Sequence, residues 1–272
     1  MARSLPINQG RFGAGLGASG GWAGEPLTRS YNLCMTVLAN EGYCAICERK
    51  SRFEASHAWL RDFYVCVRCG TCPRQRAVVE VLNLVAPKWK RMTIHESSPC
   101  IQFFAKRCSR YTFSHYFEGV PLGSRKDGIP CENLESLTFR DAAFDVFITQ
   151  DVLEHVFNPA LAVREIARVL RPNGVHVFTA PKHKHLLQTR QRARLREDGS
   201  VEHLMPEEYH GNPIGDGRSL VTWDYGADFD DLLGLWSGYL VSNYVIRDHA
   251  RGIAGEYLDV FVMRKDERNR VG

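Results

Sequence analysis

The chain of 272 residues has no apolar run that approaches the roughly 18 residues of a membrane-spanning helix. Its N-terminal region also lacks the apolar core of a signal peptide. Charge of one sign does not dominate, because 35 basic residues are balanced by 31 acidic ones and the formal net charge is +4. These absences argue against a membrane protein, a secreted protein or a nucleic-acid binder that relies on bulk charge, and they predict a cytoplasmic protein.

Glycine is concentrated in one N-terminal stretch, GRFGAGLGASGGWAG, at residues 10–24. A nucleotide-binding loop needs a strand before it and a helix after it, because the bound group sits on the helix N-terminus. The stretch upstream is too short and too polar for a buried strand, and no amphipathic run follows. Residues 1–40 are therefore predicted to be a flexible glycine-rich arm that ends in a short helix.

Nine cysteines, an odd and unevenly spread number, suit reduced thiols around a metal better than a disulfide framework. Four of them form two C-x-x-C pairs: Cys44 with Cys47, and Cys66 with Cys69. Each pair is a tight turn that directs two thiolates to one point, and two pairs complete the sulfur shell of a structural zinc ion. Cys72 forms a third C-x-x-C with Cys69 and could replace one ligand. Free or redox-active thiols are the alternative.

Downstream of the cysteines, apolar strands alternate with helices. Pro73 opens one predicted helix, and Asn158 caps another. The strands are predicted at residues 91–96, 111–117, 144–150 and 175–181, and the last forty residues predict a further helix and two strands. Such alternation is typical of a doubly wound, mostly parallel α/β sheet, in which ligands bind at the carboxyl ends of the strands.

The run of residues 137–182 contains LTF, FDV, EH and RVLRPNG in sequence. In these motifs the chain closely resembles the class I S-adenosylmethionine-dependent methyltransferases, most strongly over residues 137–182 and more loosely over 91–264. The resemblance implies a Rossmann-like sheet of seven strands, S-adenosylmethionine as cofactor and methyl transfer as the reaction. The predicted organisation is the arm, a zinc-binding module with a connecting helix (41–86), and a methyltransferase domain (87–267) with a polar insertion at 183–217.

The same resemblance implies where the cofactor binds. The family's glycine-rich loop corresponds here to HESSPC, residues 95–100, which contains no glycine. Glu96 is expected to help hold the methionine end of the cofactor, and Ser97 and Ser98 take the place of glycines. The other implied cofactor-binding residues are Ser114, Asn133, Leu134, Gln150 and Asp151. Because the loop lacks glycine, a site that no longer binds the cofactor, or a binding protein on a methyltransferase fold, is an alternative.

Methyl transfer requires an aligned acceptor and, for a hydroxyl, a base that takes its proton. The insertion follows a strand at its carboxyl end and is expected to cover the site, so its His210 is the first candidate base. His155 is the second candidate, and a capping or interhelical contact is the alternative role for it and for Glu154. Arginines at alternate positions of residues 190–196 could grip an anionic acceptor or lie on a solvated helix.

These features predict O-methylation of a small-molecule, sugar or glycan acceptor, without a membrane partner. An RNA methyltransferase that binds RNA through the zinc ribbon is the second hypothesis, because the ribbon carries basic residues and four candidate stacking rings: Tyr43, Phe53, Phe63 and Tyr64. The near-balanced charge favours the small acceptor, since RNA binding depends on neutralising several phosphates.

Overall fold

The structure, a computed structural model, describes residues 36–99, 103–212, 214, 217–266, 268 and 270. The predicted glycine-rich arm therefore lies outside the described residues, except for residues 36–40. The prediction of a short helix at its end is wrong for residues 38–40, which belong to a strand. Side chains in this segment alternate between half-buried and exposed, which is the two-residue period of a strand and not the period of a helix.

The cysteine-containing segment folds as a small antiparallel sheet followed by a helix. The elements are strand β1 (Leu38–Cys44), strand β2 (Arg49–Ala55), the one-turn helix α1 (Leu60–Phe63), strand β3 (Tyr64–Cys66) and helix α2 (Pro73–Val85). Strand β2 lies in the centre of the sheet. Helix α2 begins at the predicted Pro73, where the missing backbone N–H needs no partner. Both C-x-x-C pairs start at the last residue of a strand, β1 or β3, and the sheet brings these strand ends together.

The next part of the chain supplies the parallel half of the central sheet. Its elements are β4 (Ile94–Ser97), β5 (Tyr111–Ser114), a hairpin of β6 (Arg125–Lys126) and β7 (Ile129–Pro130), β8 (Phe144–Gln150), helix α3 (Pro159–Val169) and β9 (Leu170–Thr179). Strands β5, β4, β8 and β9 are parallel neighbours in that order. Asn158 caps α3 as predicted, since its Oδ1 accepts a hydrogen bond from the Leu161 N–H at 3.0 Å.

The insertion after β9 forms three two-stranded antiparallel ribbons. They pair β10 (Arg190–Gln191) with β15 (Trp223–Asp224), β11 (Ala193–Leu195) with β12 (Val201–His203), and β13 (Tyr209–Gly211) with β14 (Arg218–Leu220). Helix α4 (Phe229–Ser237) and strands β16 (Val241–Val245) and β17 (Asp259–Arg264) follow. Strand β17 pairs antiparallel with β9, and β16 pairs antiparallel with β17, which confirms the predicted antiparallel C-terminal edge.

The central sheet has six strands in the order β16-β17-β9-β8-β4-β5, one fewer than predicted. Beside β5, where the family's seventh strand was expected, the described residues contain only a parallel bridge between His115 and Cys131. The Cys131 N–H donates to the Ser124 carbonyl at 2.8 Å, so this segment pairs with its own hairpin. Pro130 also has no N–H with which to extend a ladder. The doubly wound, mostly parallel architecture itself is confirmed.

The cysteine module and the sheet share one hydrophobic core. Phe53 of β2, Leu82 of α2 and Val177 of β9 belong to a single buried cluster, whereas Phe178 belongs to a second cluster on the opposite face, with α3 and α4. Helix α2 therefore covers one face of the sheet, although the sequence places it directly after the cysteines. Within the described residues, no helix has the length and apolar character needed to cross a membrane.

A buried arginine joins the module to the C-terminal loop. Arg76 on α2 is fully buried, and its guanidinium donates to the carbonyl oxygens of Tyr64 (2.7 Å) and Gly252 (3.1 Å). The guanidinium carbon also lies 4.7 Å from the centroid of the Phe53 ring. Gly252 has φ +66°, and a Cβ placed on it would lie 2.5 Å from Cδ1 of Phe53. Both the conformation and the space therefore require glycine at this position.

Replacing Gly252 by alanine is expected to destabilise the protein by about 2 to 5 kcal/mol. The left-handed conformation costs an L-residue about 1 to 2 kcal/mol, and the clash with Phe53 adds an overpacking term of about 1 to 3 kcal/mol. Gly128→Ala is the matched control, because Gly128 has φ +79° with nothing within 4 Å of the added Cβ, so only the conformational term remains. Urea unfolding of the two variants measures the difference, and equal losses would contradict the close packing against Phe53.

Candidate cofactor and acceptor site

The carboxyl ends of the four parallel strands form one edge of the sheet. The residues at these ends are Ser114 of β5, Ser97 of β4, Gln150 of β8 and Thr179 of β9. The chain runs outward from β4 to β5 on one side and then returns to β8 and β9 on the other, so the strand order reverses between β4 and β8. Doubly wound sheets bind ligands in the crevice at such a reversal, and the predicted cofactor residues gather around it.

Glu96 is fully buried at the end of β4, and neighbouring strands satisfy its carboxylate. One oxygen accepts a hydrogen bond from the Tyr111 hydroxyl (2.7 Å), and the other accepts from the Gln150 amide (3.0 Å). Burial raises the pKa of Glu96 to about 7, although both hydrogen bonds act to lower it. Glu96 therefore links β4 to β5 and β8 through its side chain and orients the side chain of Gln150.

The glycine-free loop after β4 nevertheless adopts a turn of the glycine type. Ser98 has φ +54°, in the left-handed region, and its N–H donates to the Ser114 carbonyl at 2.8 Å. Ser97 is buried beside it, and the Ser114 hydroxyl lies 3.0 Å from Nε2 of His95, so the predicted Ser114 is occupied by an internal contact. Residues 100–102, which complete HESSPC and begin the next segment, lie outside the described residues.

In the loop predicted to face adenine, Asn133 and Leu134 make contacts within the protein. Asn133 Oδ1 accepts a hydrogen bond from the Glu135 N–H at 2.9 Å, which is an Asx turn. Leu134 is buried in the core cluster beneath α3. A ligand at this loop would therefore meet the Asn133 amide and the backbone of Leu134, and not the Leu134 side chain.

Asp151, immediately after β8, is held by two arginines from the cysteine module. Its Oδ2 accepts hydrogen bonds from Arg61, on α1, and from Arg74, in the first turn of α2, while Oδ1 accepts from the Thr179 hydroxyl at 2.8 Å. Burial alone would raise the pKa of Asp151, but the two guanidinium groups hold it well below its ordinary value. The arginines were missed in the sequence because they lie 90 and 77 residues from Asp151, with no local pattern linking them.

The two predicted catalytic histidines lie together beside a buried carboxylate. Glu154 and His155 belong to a 3-10 turn, Leu153–His155, and His210 lies on β13 of the insertion. His155 Nε2 and His210 Nδ1 are each 3.9 Å from Glu154 Oε1, and the ring centroids are 5.1 Å apart. Burial lowers the pKa of both histidines, that of His210 to about 4. Sequence patterns singled out all three residues and predicted that the insertion covers the site, but they did not pair His210 with Glu154.

The four predicted cysteine ligands also come together. The Sγ atoms of Cys44 and Cys69 are 3.8 Å apart, as are those of Cys47 and Cys66, and all four lie within 4.8 Å of one another. Cys72 is not a member of this cluster. It precedes α2, and its N–H donates to Gln75 Oε1 at 3.0 Å. The geometry therefore favours the original four over a set in which Cys72 substitutes.

Most of the insertion arginines are neutralised within the insertion and the strand next to it. Arg192 lies 2.7 Å from Asp224, and Arg194 and Arg196 both pair with Glu202. The prediction of a solvated helix here is wrong, because the segment forms strands β10 and β11. The alternate spacing that would spread arginines around a helix is the period of a strand. These contacts leave little support for the predicted grip on an anionic acceptor.

Comparison with known proteins identifies the central part of the chain. Residues 118–178 match the family model described as a methyltransferase domain. The match covers this central segment of the chain and carries the sequence pattern of a methyltransferase domain. No curated protein sequence matches the chain significantly.

Several solved methyltransferases are similar in fold. One, from Mesorhizobium loti, is 16% identical, covering 69% of this chain and 97% of its own, with a TM-score of 0.44. The amino pentose methyltransferase CalS10 of Micromonospora echinaspora is 13% identical over 72% of this chain and 92% of its own, with a TM-score of 0.45. The 1,6-didemethyltoxoflavin-N1-methyltransferase of Burkholderia thailandensis is 14% identical over 72% and 79%, with a TM-score of 0.44.

The carboxyl edge of the sheet also carries two buried polar atoms that are available to a ligand. Gln150 Oε1, at the end of β8, and His115 Nδ1, directly after β5, are buried and have no hydrogen-bond partner among the described residues. An amide oxygen accepts from an ammonium group, and a ring nitrogen can pair with a ribose hydroxyl. Because buried polar atoms without partners are costly, these two atoms favour a polar ligand in the crevice.

Stability of the folded chain is expected to depend on pH through Glu96. Its pKa in the folded chain, about 7, lies above the ordinary value of 4.5, so the folded state holds a proton that the unfolded state has released. The free energy of unfolding should therefore fall as pH rises, by about 2 to 3 kcal/mol between pH 5 and pH 8. Glu96→Gln cannot ionise and should remove this part of the slope.

The measurement is urea unfolding of wild type and Glu96→Gln across that pH range. Glu165→Gln is the control, because hydrogen bonding by Arg168 lowers the pKa of Glu165, so this residue contributes no loss of stability as pH rises. Parallel pH profiles for wild type and Glu96→Gln would contradict the raised pKa.

Proposed function

We propose that the chain transfers a methyl group from S-adenosylmethionine to a hydroxyl oxygen of a small-molecule, sugar or glycan acceptor. The observation that carries this proposal is the meeting of His155 and His210 beside Glu154. The turn that carries two of these residues begins three residues after Gln150, at the end of β8, so the cluster adjoins the cofactor crevice. The third residue comes from the insertion, as expected for a segment that covers an acceptor.

Residues around the crevice are assigned to the cofactor by chemistry. When bound, S-adenosylmethionine supplies a methyl group on a positively charged sulfur. Gln150 Oε1 would accept from the methionine ammonium, and His115 Nδ1 would pair with the ribose. Asn133 and the backbone of Leu134 would border the adenine, while Ser97 and Ser98 shape the turn that the cofactor approaches. Glu96 and Asp151 support these groups from behind.

The histidine pair gives the acceptor hydroxyl a place to lose its proton. His155 Nδ1 lies 2.8 Å from the Leu220 carbonyl oxygen, which can only accept, so Nδ1 carries the proton and Nε2 keeps its lone pair. A neutral imidazole nitrogen of this kind can take a hydroxyl proton. His210 is the second such group, 5.1 Å away between ring centroids.

RNA as the acceptor receives less support. Of the four candidate stacking rings in the cysteine module, Phe53 and Tyr64 are fully buried and cannot stack on a base. Arg76 is buried as well, and Arg61 and Arg74 are engaged with Asp151. The module thus uses its cations and aromatic rings mainly to join the methyltransferase sheet.

We further propose that the four cysteines hold a structural zinc ion. Zinc bonds thiolate sulfur at about 2.3 Å, and a tetrahedron of that size has edges of about 3.8 Å. The two short S···S distances have this value. Hydroxyls of Ser51 and Thr71 lie 3.0 Å from Cys66 Sγ and Cys69 Sγ, where they can donate to thiolates. All seven cysteines among the described residues are free thiols, which suits the reducing cytoplasm as the proposed compartment.

Cys69→Ser is expected to lower the zinc content of the purified full chain by about one ion, whereas Cys72→Ser should retain it. Cys69 is exposed, so its replacement removes a ligand without disturbing the core. Zinc is measured by mass spectrometry after gel filtration, and unfolding is measured in parallel because metal binding and folding are coupled. A wild-type chain without zinc, or a loss in Cys72→Ser alone, would contradict the proposed ligand set.

The proposed function is tested by binding and by turnover. Calorimetry should show binding of S-adenosylmethionine or S-adenosylhomocysteine, weakened by Gln150→Ala. A screen of nucleotide sugars and small glycosides, followed by release of S-adenosylhomocysteine, should identify acceptors. His155→Ala and His210→Ala should lower turnover by about 100-fold or more with cofactor affinity nearly unchanged. His203→Ala is the control, because His203 lies in the same insertion, outside the cluster, 3.5 Å from Glu207.

Three outcomes would overturn this proposal. Absence of cofactor binding in wild type would contradict the enzyme itself, and binding without turnover would favour a non-catalytic binding protein. Tight RNA binding that weakens steeply with salt, together with RNA labelling, would favour the RNA methyltransferase.

A further inference from the structure

The carboxylate of Glu154 is buried without any polar partner. The residue is 1% exposed, and neither carboxylate oxygen accepts a hydrogen bond within the described residues. A buried carboxylate in this state is costly, because its hydration is lost and nothing replaces it. It must be neutralised, either by a proton or by a cation that binds between it and its neighbours.

Two imidazole nitrogens flank one oxygen of this carboxylate at a separation suited to a metal ion. His155 Nε2 and His210 Nδ1 are each 3.9 Å from Glu154 Oε1, too far for hydrogen bonds. Metal bonds to imidazole nitrogen and carboxylate oxygen are about 2.0 to 2.2 Å long, so two ligands of one ion lie at most about 4.2 Å apart. All three ligand atoms lie within 4.8 Å of one another, so binding of one ion requires them to approach by at most about 0.6 Å.

The far side of the His155 imidazole has a partner of the kind that orients metal-binding histidines. The Nδ1–H of His155 donates to the Leu220 carbonyl at 2.8 Å, which leaves the Nε2 lone pair directed at Glu154. His210 Nε2 lies 3.8 Å from a carboxylate oxygen of Glu208, which is near enough for electrostatic attraction but too far for a hydrogen bond. Histidines that bind metals usually donate their other ring N–H to a carbonyl or a carboxylate, which fixes tautomer and orientation.

Asp151, another carboxylate that interacts with Glu154, is already engaged. Asp151 is paired with Arg61 and Arg74, so it is not available as a fourth ligand. A cation at the cluster would have two nitrogen ligands and one oxygen ligand from the protein, with its remaining positions open. This ligand set is typical of divalent transition metals and unlike that of a closed structural site.

We propose that Glu154, His155 and His210 bind a divalent transition-metal cation, such as Mn²⁺ or Zn²⁺, at a site distinct from the four cysteines. The metal site itself does not depend on the proposed function. The role of the metal in methyl transfer does rest on the proposed function. A hydroxyl of the acceptor bound at an open position of the cation would ionise more readily and release its proton to water. The oxygen then attacks the methyl carbon, and the carbon–sulfur bond breaks with its electron pair left on sulfur. In the metal-loaded protein the cation replaces a histidine as the direct cause of deprotonation.

The test uses the full chain with zinc at the cysteines, after a mild chelator has cleared weaker sites. Mn²⁺ is the probe, because thiolates bind it poorly, and its free form is followed by electron paramagnetic resonance without cofactor or acceptor. Wild type should bind about one Mn²⁺ per chain. Glu154→Gln and His210→Ala should each weaken binding at least tenfold, and His203→Ala should leave it unchanged.

Thermal unfolding provides an independent readout. Mn²⁺ should raise the melting temperature of wild type and of His203→Ala but not that of Glu154→Gln. In chelator, Glu154→Gln should be at least as stable as wild type, since it removes the need to neutralise a buried carboxylate. The proposed site would be overturned if wild type with zinc at the four cysteines bound neither Mn²⁺ nor additional Zn²⁺. It would also be overturned if Glu154→Gln bound these ions as tightly as wild type does. Neither result depends on whether methyl transfer is observed.

Discussion

The pairing of Asp151 with Arg61 and Arg74 is the interaction on which the arrangement of the site depends. A carboxylate directly after a central strand, with its side chain only 14% exposed, is tolerated only if cations lie against it. Both cations come from the cysteine module. Removing one partner of such a buried pair typically costs about 3 to 5 kcal/mol, because the remaining charge stays buried. The module is therefore part of the site's construction and not a separable appendage.

Because of this pairing, the carboxyl edge of the sheet depends on an ordered cysteine module. Cys66 ends β3, Arg61 precedes that strand on α1, and Arg74 follows Cys72 in the first turn of α2. A metal held by the four cysteines would fix these same segments, since its binding energy acts as folding energy. Arg76 reinforces the connection through carbonyl groups on both sides of the boundary. Stability of the module and geometry of the crevice are thereby linked through three arginines.

Sequence patterns predicted the elements whose signals are local. The cap at Asn158, the apolar strand β8 and the paired cysteines each depend on residues a few positions apart, and the structure has all of them. Contacts that join distant segments had no such signal, which is why Arg61 and Arg74 were missed. In the insertion, the spacing of the arginines was interpreted as that of a solvated helix. Arginines at every second position instead fit a strand, and strands β10 and β11 follow that period. The prediction of a seventh strand was wrong for the described residues, because the segment near Pro130 pairs with its own hairpin and forms only a bridge to His115.

Backbone strain gives a separate reason to place function at this edge. Ser98 and Asp151, directly after the neighbouring strands β4 and β8, both have left-handed φ values, +54° and +52°, although neither is glycine. Each costs about 1 to 2 kcal/mol, and such residues persist where the surrounding contacts fix them. Here the Ser114 carbonyl holds the Ser98 N–H, and Thr179 with two arginines holds Asp151. Glycine at either position would relieve the strain, but at position 151 it would also remove the carboxylate that pairs with Arg61 and Arg74 and so anchors the module.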